Sequence, residues 1–152
     1  MTINCQIDTV TNSIAAWSIS GVTIRDIHDI PEDVILLGPI LFPRPDGFVT
    51  DMQFTRESQG GAGTAMMNLS YTLNYVYCHT PIGSGLGGLF STYSGLITNL
   101  ALIIEKVFAS DNASGAVDLQ LAGVSNVGPV SDPSGKAYHG VEIALRITEF
   151  IQ

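Results

Sequence analysis

From Asn68 to Tyr77 the chain alternates without a break, with Leu69, Tyr71, Leu73, Tyr75 and Tyr77 at odd positions and Asn68, Ser70, Thr72, Asn74 and Val76 at even ones. Side chains of a strand point to opposite faces in turn, so this segment has one apolar face that must pack on something and one face that is mostly polar. Strands of a parallel sheet are buried on both sides and read as unbroken apolar runs, so the alternation argues for an antiparallel setting. The strand reading extends over Thr64 to His79, and Phe48 to Glu57 reads as a second strand. Between them Ser58-Gln59-Gly60-Gly61-Ala62-Gly63 is a tip almost without side chains, so a long antiparallel hairpin over residues 48–79 is expected.

The apolar face is expected to meet the next segment. Leu89, Phe90, Tyr93, Leu96, Ile97, Leu100, Ile104, Val107 and Phe108 recur at intervals of mostly three and four, which predicts a long helix over Leu86 to Ala109 with one buried face. Ile3, Ile7, Val10, Ile14 and Trp17 predict a first helix over Thr2 to Ser18, stopped at Ser20-Gly21. Val22 to Asp33 is a charged connector with room for a short extended piece. Val34 to Phe42 is apolar and β-rich, but Pro39 lacks a donor and Pro43 and Pro45 follow, which suits an edge or bulged strand before the Pro45-Asp46-Gly47 turn. Beyond Asp111-Asn112-Ala113-Ser114-Gly115, Ala116 to Val124 and Val141 to Thr148 read as strands. Ser125 to His139, with Gly128-Pro129 and Asp132-Pro133-Ser134-Gly135, reads as a long loop between them. The order predicts a single α+β domain spanning residues 1–152, an antiparallel or mixed sheet with the long helix on one face and an N-terminal helix.

Charge narrows the function. Six basic residues against fourteen acidic ones give a net charge of −8, and no cationic cluster exists to neutralise phosphates, so specific nucleic-acid binding is not expected. Charged residues make up 13 % of the chain, against roughly 25 % in ordinary soluble domains, which leaves a surface too apolar for a solitary monomer. The most apolar stretch, Gly95 to Ile104, is interrupted by Thr98 and Asn99 and is well short of the ~20 residues of a membrane span. Met1 to Asp8 lacks the basic start and apolar run of a secretory signal, so the chain is expected to stay where it is made, with Cys5 and Cys78 reduced. For the same reason the Asn68 and Asn112 sequons are read as chance.

Motifs of chemistry are thin. Gly83-Ser84-Gly85-Leu86-Gly87-Gly88 matches G-x-G-x-x-G, but the strand before it alternates like an antiparallel one and no βαβ repeat follows, so a glycine-rich hinge is the better reading and no cofactor is expected. His28, His79 and His139 lie apart without ligand spacing. Asp26, Asp29, Glu32 and Asp33 crowd around His28 without the regularity of a calcium loop, so no metal is expected. There is no G-x-S-x-G elbow, and neither cysteine carries the signature of an activated thiol, so no catalytic residue is assigned. Trp17, Tyr71, Tyr75, Tyr77 and Tyr93 sit at spacings that read as packing.

Several features in this order resemble the tail terminator (tail completion) proteins of long-tailed bacteriophages. They are the N-terminal helix to Trp17, the segment Ile30-Pro31-Glu32-Asp33-Val34-Ile35-Leu36-Leu37-Gly38-Pro39 leading into a proline-bounded strand, and the long hairpin ending Asn74-Tyr75-Val76-Tyr77. Gly85-Leu86-Gly87-Gly88-Leu89 opening the long helix and the closing strand pair complete the likeness, which spans nearly the whole chain. The resemblance implies a non-enzymatic virion protein. It would form a hexameric ring that caps the tail tube, docks the head connector and passes genomic DNA without binding it specifically. It further suggests contacts to neighbouring rings through Gln59, Gly60, Gly61, Ala62 and Gly63 at the hairpin tip, and through Asn126, Asp132, Lys136 and His139 in the long loop. Another neck or stopper ring shares this layout; a small nucleotide-binding enzyme built on Gly83–Gly88 is the alternative of a different class.

Overall fold

In the computed structural model, residues 5–28, 39–58, 65–83, 88–109 and 117–151 are described. The alternating run forms the heart of β4 (Ala65–Pro81), the longest strand of a seven-stranded sheet. Its partner along nearly its whole length is β7 (Ala137–Ile151), antiparallel from Met67↔Ile151 to Pro81↔Tyr138. Leu73 opposes Leu145, Tyr75 opposes Ile143 and Tyr77 opposes Val141, so the apolar positions of the two strands share one face, as period-two side chains in register must.

Each central strand is flanked on its outer side by an arm made of two strands. β2 (Ile40–Pro43) pairs with β4 at Cys78 to Tyr75, and β3 (Val49–Ser58) takes over from Leu73 to Ala65. Between them the chain bulges out at Pro45-Asp46-Gly47, with Gly47 at φ +69°. Asn74 of β4 faces this gap and closes it: its N–H donates to the Phe48 carbonyl (2.8 Å), and its Nδ2 donates to Thr50 Oγ1 (2.9 Å). The other side repeats the device. β5 (Val117–Val124) and β6 (Gly128–Ser131) run consecutively along β7, and Glu142 spans the break, its carbonyl accepting from Ser125 N (2.9 Å) and its N–H donating to Ser125 Oγ (2.9 Å).

The expected long loop over residues 125–139 is therefore corrected to the end of a second long hairpin. Asp132 turns it: Oδ1 accepts from the N–H groups of Ser134 and Lys136 (both 2.9 Å), and Gly135 takes φ +88°. The turn signal was present in Asp132-Pro133-Ser134-Gly135; the short strand before it, Gly128-Pro129-Val130-Ser131, carried too little alternation to be read. The proline-bounded strand is also corrected, because β2 is not an edge. The two-residue β1 (Thr23–Ile24), the extended piece of the connector, pairs with it in parallel, and the Pro39 carbonyl accepts from Thr23 N (3.1 Å). Pro39 lacks a donor but keeps an acceptor, which suffices for a neighbour on that side. The segment 34–38 lies outside the described residues.

Both helices contribute to the core on the apolar sheet face. α2 (Gly88–Ala109) contributes Leu96, Ile103 and Val107, and α1 (Ile7–Ala15) contributes Val10 and Ile14, to a core with Tyr71, Tyr75, Tyr77, Leu145 and Ile147. α1 is shorter than expected. It closes when Ala16 N bonds Asn12 O and Trp17 N bonds Ile14 O, so Trp17 packs on the core from beyond the helix end. The opposite sheet face carries only a small second cluster at one end, Ile40, Phe42, Val76, Cys78 and Tyr138. The observed class is thus α+β with a mixed sheet, as the sequence predicts.

One close approach fixes how tightly β4 and β7 meet. Their register slips between Cys78 and Thr80, leaving His79 as an extra residue, and a Cβ placed on Gly140 opposite the slip would lie 2.0 Å from the Tyr77 carbonyl oxygen. Gly140→Ala is expected to cost about 2–3 kcal/mol and to lower the melting temperature by roughly 5–10 °C for a chain of this size. An unchanged thermal melt would mean that the strands do not approach in this way.

Candidate functional site

α2 decides what the molecule shows to its surroundings. Of the nine positions whose spacing predicts one buried face, Leu96 and Val107 are buried and Tyr93, Leu100 and Ile104 are half-buried, whereas Leu89, Phe90, Ile97 and Phe108 are exposed. Ile103, not among the nine, is buried. The helix carries two stripes rather than one. Tyr93, Leu96, Leu100, Ile103 and Val107 face the sheet; Phe90, Ile97, Ala101, Ile104 and Phe108 run in a second line about 100° around the axis. Two interleaved patterns of three and four look like one strong helix signal in the sequence, and only a partner tells them apart. An open apolar groove, lined by Ile97, Leu100, Ala101, Ile104 and Phe108 beside Glu105, follows the outer line.

Further exposed apolar side chains lie on β3, where Met52 and Phe54 accompany a strand edge unpaired among the described residues. The helix-free sheet face is different in character. Thr50, Gln53, Asn68, Ser70, Thr72 and Thr148 share it with Arg146, whose Nη1 donates to Thr72 Oγ1 (3.1 Å) and to the carbonyl of Asp51 (2.9 Å). Asp51 sits in the β3 bulge at φ +53°, a left-handed conformation that a short polar side chain tolerates. At one end of this face the two gaps in the outer arms lie near each other, joined by Arg44 Nη1 and Glu142 Oε1 at 3.5 Å. A cleft of about 400 Å³ opens there among Arg44, Glu142, Ser125, Asn126, Val130 and Ser131.

Two polar groupings, one buried and one half-buried, tie the helices to the sheet. Glu149 is fully buried; one carboxyl oxygen accepts from the Gln6 N–H (2.9 Å) at the start of α1, the other from the Tyr71 hydroxyl (2.5 Å). Gln6 makes no side-chain cap of its own, so a residue from the last strand does what a capping-box glutamate does from within a helix. The second grouping surrounds the extra residue His79. Asn99 of α2 donates to the Tyr77 hydroxyl (2.8 Å), which lies 2.7 Å from His79 Nδ1, while Tyr93 and His139 meet at 3.3 Å. Gly95 leaves the room: its Cβ would be 3.1 Å from His79 Nε2. Burial, reinforced by the nearby His139, holds the His79 pKa below its ordinary value, which favours the neutral ring beside the Tyr77 hydroxyl.

These groupings place the residues singled out from the sequence. Gln59, Gly60, Gly61, Ala62 and Gly63 lie outside the described residues. Asn126 is exposed in the cleft, and Lys136 is exposed with its Nζ 5.6 Å from the Tyr138 ring centre. Asp132 is buried with Oδ1 accepting within its own turn, and His139 is half-buried against Tyr93. His28 pairs with Asp8 of α1 at 2.5 Å, and Asp26 is buried and accepts from Ile27 N. Asp29, Glu32 and Asp33 lie outside the described residues, and no group of three metal-ligating side chains occurs among those described.

The thiols are both free. Burial pushes Cys78 up to about 12, and partial burial with Glu149 nearby raises Cys5. Gly83 takes φ +89° directly after β4, which is antiparallel to β2, β3 and β7; a dinucleotide turn needs a parallel βαβ unit instead. Residues 84–87 lie outside the described residues. No helix among the described residues is long and apolar enough to cross a membrane. Neither a known family model nor a curated protein matches the chain.

Two measurements test the polar groupings. Glu149→Ala leaves the Tyr71 hydroxyl and the Gln6 N–H without their acceptor and is expected to cost about 2–4 kcal/mol in urea unfolding; a loss below about 0.5 kcal/mol, the range of ordinary surface substitutions, would remove its role. The unfolded chain binds a proton at His79 near pH 6.5 before the folded chain does. The stability tied to neutral His79 is therefore whole above pH 6.5 and declines as pH falls below it. His79→Gln should flatten the stability profile between pH 7 and 5, and an unchanged slope would contradict the assignment.

Proposed function

We propose that the chain is a structural virion protein, the subunit of a hexameric ring that caps the tail tube of a long-tailed bacteriophage, ends its polymerisation and joins it to the head connector. The observation that carries this reading is a surface rather than a pocket: Phe54, Phe90 and Phe108 are exposed on a chain with few charges. Monomeric proteins seldom leave extended apolar surface in water, so such side chains mark contacts that assembly will cover. The outer edges of β3 and β5, unpaired among the described residues, lie on opposite sides of the sheet, the arrangement a head-to-tail contact between identical subunits requires, and such contacts close into rings.

The helix-free sheet face suits a channel wall. It offers mostly hydroxyls and amides, with Phe150 and Asp118 toward one end and Arg146 already engaged, and a duplex passing over it meets no row of cations on which to exchange its counterions. Nothing in this role asks for catalysis, and the protein is proposed to act by shape, with tail tube and head-completion proteins as partners.

Light scattering on the purified chain, with negative-stain images of the same peak, tests the reading. Six copies of 16.1 kDa give about 97 kDa, with a central hole wide enough for a duplex. Phe54→Lys should prevent ring closure while leaving the far-ultraviolet circular dichroism unchanged. A chain that stays monomeric and also ignores purified tail tubes would overturn the proposal.

A further inference from the structure

The outer stripe of α2 has a regularity of its own. Phe90, Ser94, Ile97, Ala101, Ile104 and Phe108 follow one another at intervals of 4, 3, 4, 3 and 4, the spacing of a two-helix seam, sustained along nearly the whole of Gly88–Ala109. Phe90 is 87 % exposed, Ile97 54 % and Phe108 69 %, and Ser94 and Ala101 between them are also exposed. The stripe thus has the spacing of a coiled-coil seam, exposed at five of its six positions and half-buried at Ile104. Glu105 and Lys106 are the only charged residues in the helix, so no charge pattern opposes a partner of the same sequence.

We propose that this seam takes a second copy of the chain, with the two α2 helices antiparallel about a two-fold axis that crosses the seam between Ile97 and Ala101. Sizes along the seam decide the occupant and its direction. In the antiparallel arrangement Ile97 faces Ala101 of the other copy, Ser94 faces Ile104, and Phe90 faces Phe108, so every inner layer sets one large side chain against one small one. Packing of that kind fills the space between helices without voids. A parallel pair would stack Ser94 on Ser94 and Ala101 on Ala101, leaving two inner layers empty, while the outer layers set phenylalanine on phenylalanine in either direction.

The area is of the right order. With about 200 Å² for a large apolar side chain, Phe90, Ile97 and Phe108 expose roughly 400 Å² in each copy. The pair covers about 800 Å² of apolar surface from these three side chains alone, against roughly 1,200–2,000 Å² for a whole specific interface. The seam supplies the apolar centre, and Thr98, Glu105 and Ala109 beside it supply part of the rim.

The contact is isologous, so it neither rests on the proposed ring nor excludes it. With the ring it joins two rings back to back; without it the product is a dimer of about 32 kDa, twice 16.1 kDa. The test uses the full chain. Ala101→Glu and, separately, Ile97→Glu change exposed positions and should halve the mass seen by light scattering, from dimer to monomer or from double to single ring, while the circular dichroism stays unchanged. In a Cys5→Ser background, chains carrying Ile97→Cys mixed with chains carrying Ala101→Cys should form a mixed disulfide under mild oxidation. A parent chain that is monomeric or a single ring at tens of micromolar, a mass unaffected by both glutamates, or linkage of Ile97→Cys chains to one another in preference to the mixed pair would each overturn the proposal.

Discussion

The ladder between β4 and β7 is the interaction on which the rest of this structure depends. It puts Leu69, Tyr71, Leu73, Tyr75 and Tyr77 beside Val141, Ile143, Leu145 and Ile147 on one face, and so makes the single apolar platform on which both helices pack. Tyrosines bury large areas with few rotatable bonds, so a platform built on three of them gains much apolar contact at little entropic cost. The platform also explains the outer arms. Each is interrupted opposite a residue of a central strand that turns its own backbone to closing the gap, Asn74 on one side and Glu142 on the other. The arms can break because the centre does not.

Polar groups inside the molecule serve position. Glu149 stands where the apolar series of β7 ends and fixes the start of α1 from there; the extra residue His79 stands where the β4–β7 register slips and reaches α2 through Tyr77 and Asn99. Each helix is thereby tied to the sheet by a directional bond as well as by packing. A buried group that keeps its partners costs little, and one that loses them costs several times a surface contact, so these ties select one seating of the helices over neighbouring ones. A helix held in one seating presents its outer stripe in one orientation, which is what an assembly surface needs.

The regular elements were legible where a period ran long enough to be unambiguous, as in the strand through Tyr71 to Tyr77 and the helix through Leu96 to Val107. Reading failed where the chain is short or doubly patterned. Gly128-Pro129-Val130-Ser131 is a strand because β7 offers its edge, not because its residues prefer one, and Pro39 beside β2 forbids only a donor that the neighbouring β1 does not use. Asp132 and His139, read as residues of a long loop, belong instead to the end of a hairpin, where Asp132 is buried and His139 half-buried. The carboxyl of Glu149 left no trace in the sequence, since its partners lie 143 and 78 positions away.

By itself the sequence determined that β4 has two unlike faces, that a long helix follows it, and that with 13 % charged residues the chain has few charges to place on its surface. These follow from local periodicity and composition, which do not depend on what lies across the molecule. Only the tertiary structure decided which line of α2 is core and which is surface. Both lines, through Leu96 and Val107 and through Phe90 and Phe108, satisfy the same spacing rule, and a platform one helix deep can cover only one of them. The choice was made by a sheet face assembled from strands distant in sequence, which covers the line through Leu96 and Val107 and leaves Phe90 and Phe108 exposed.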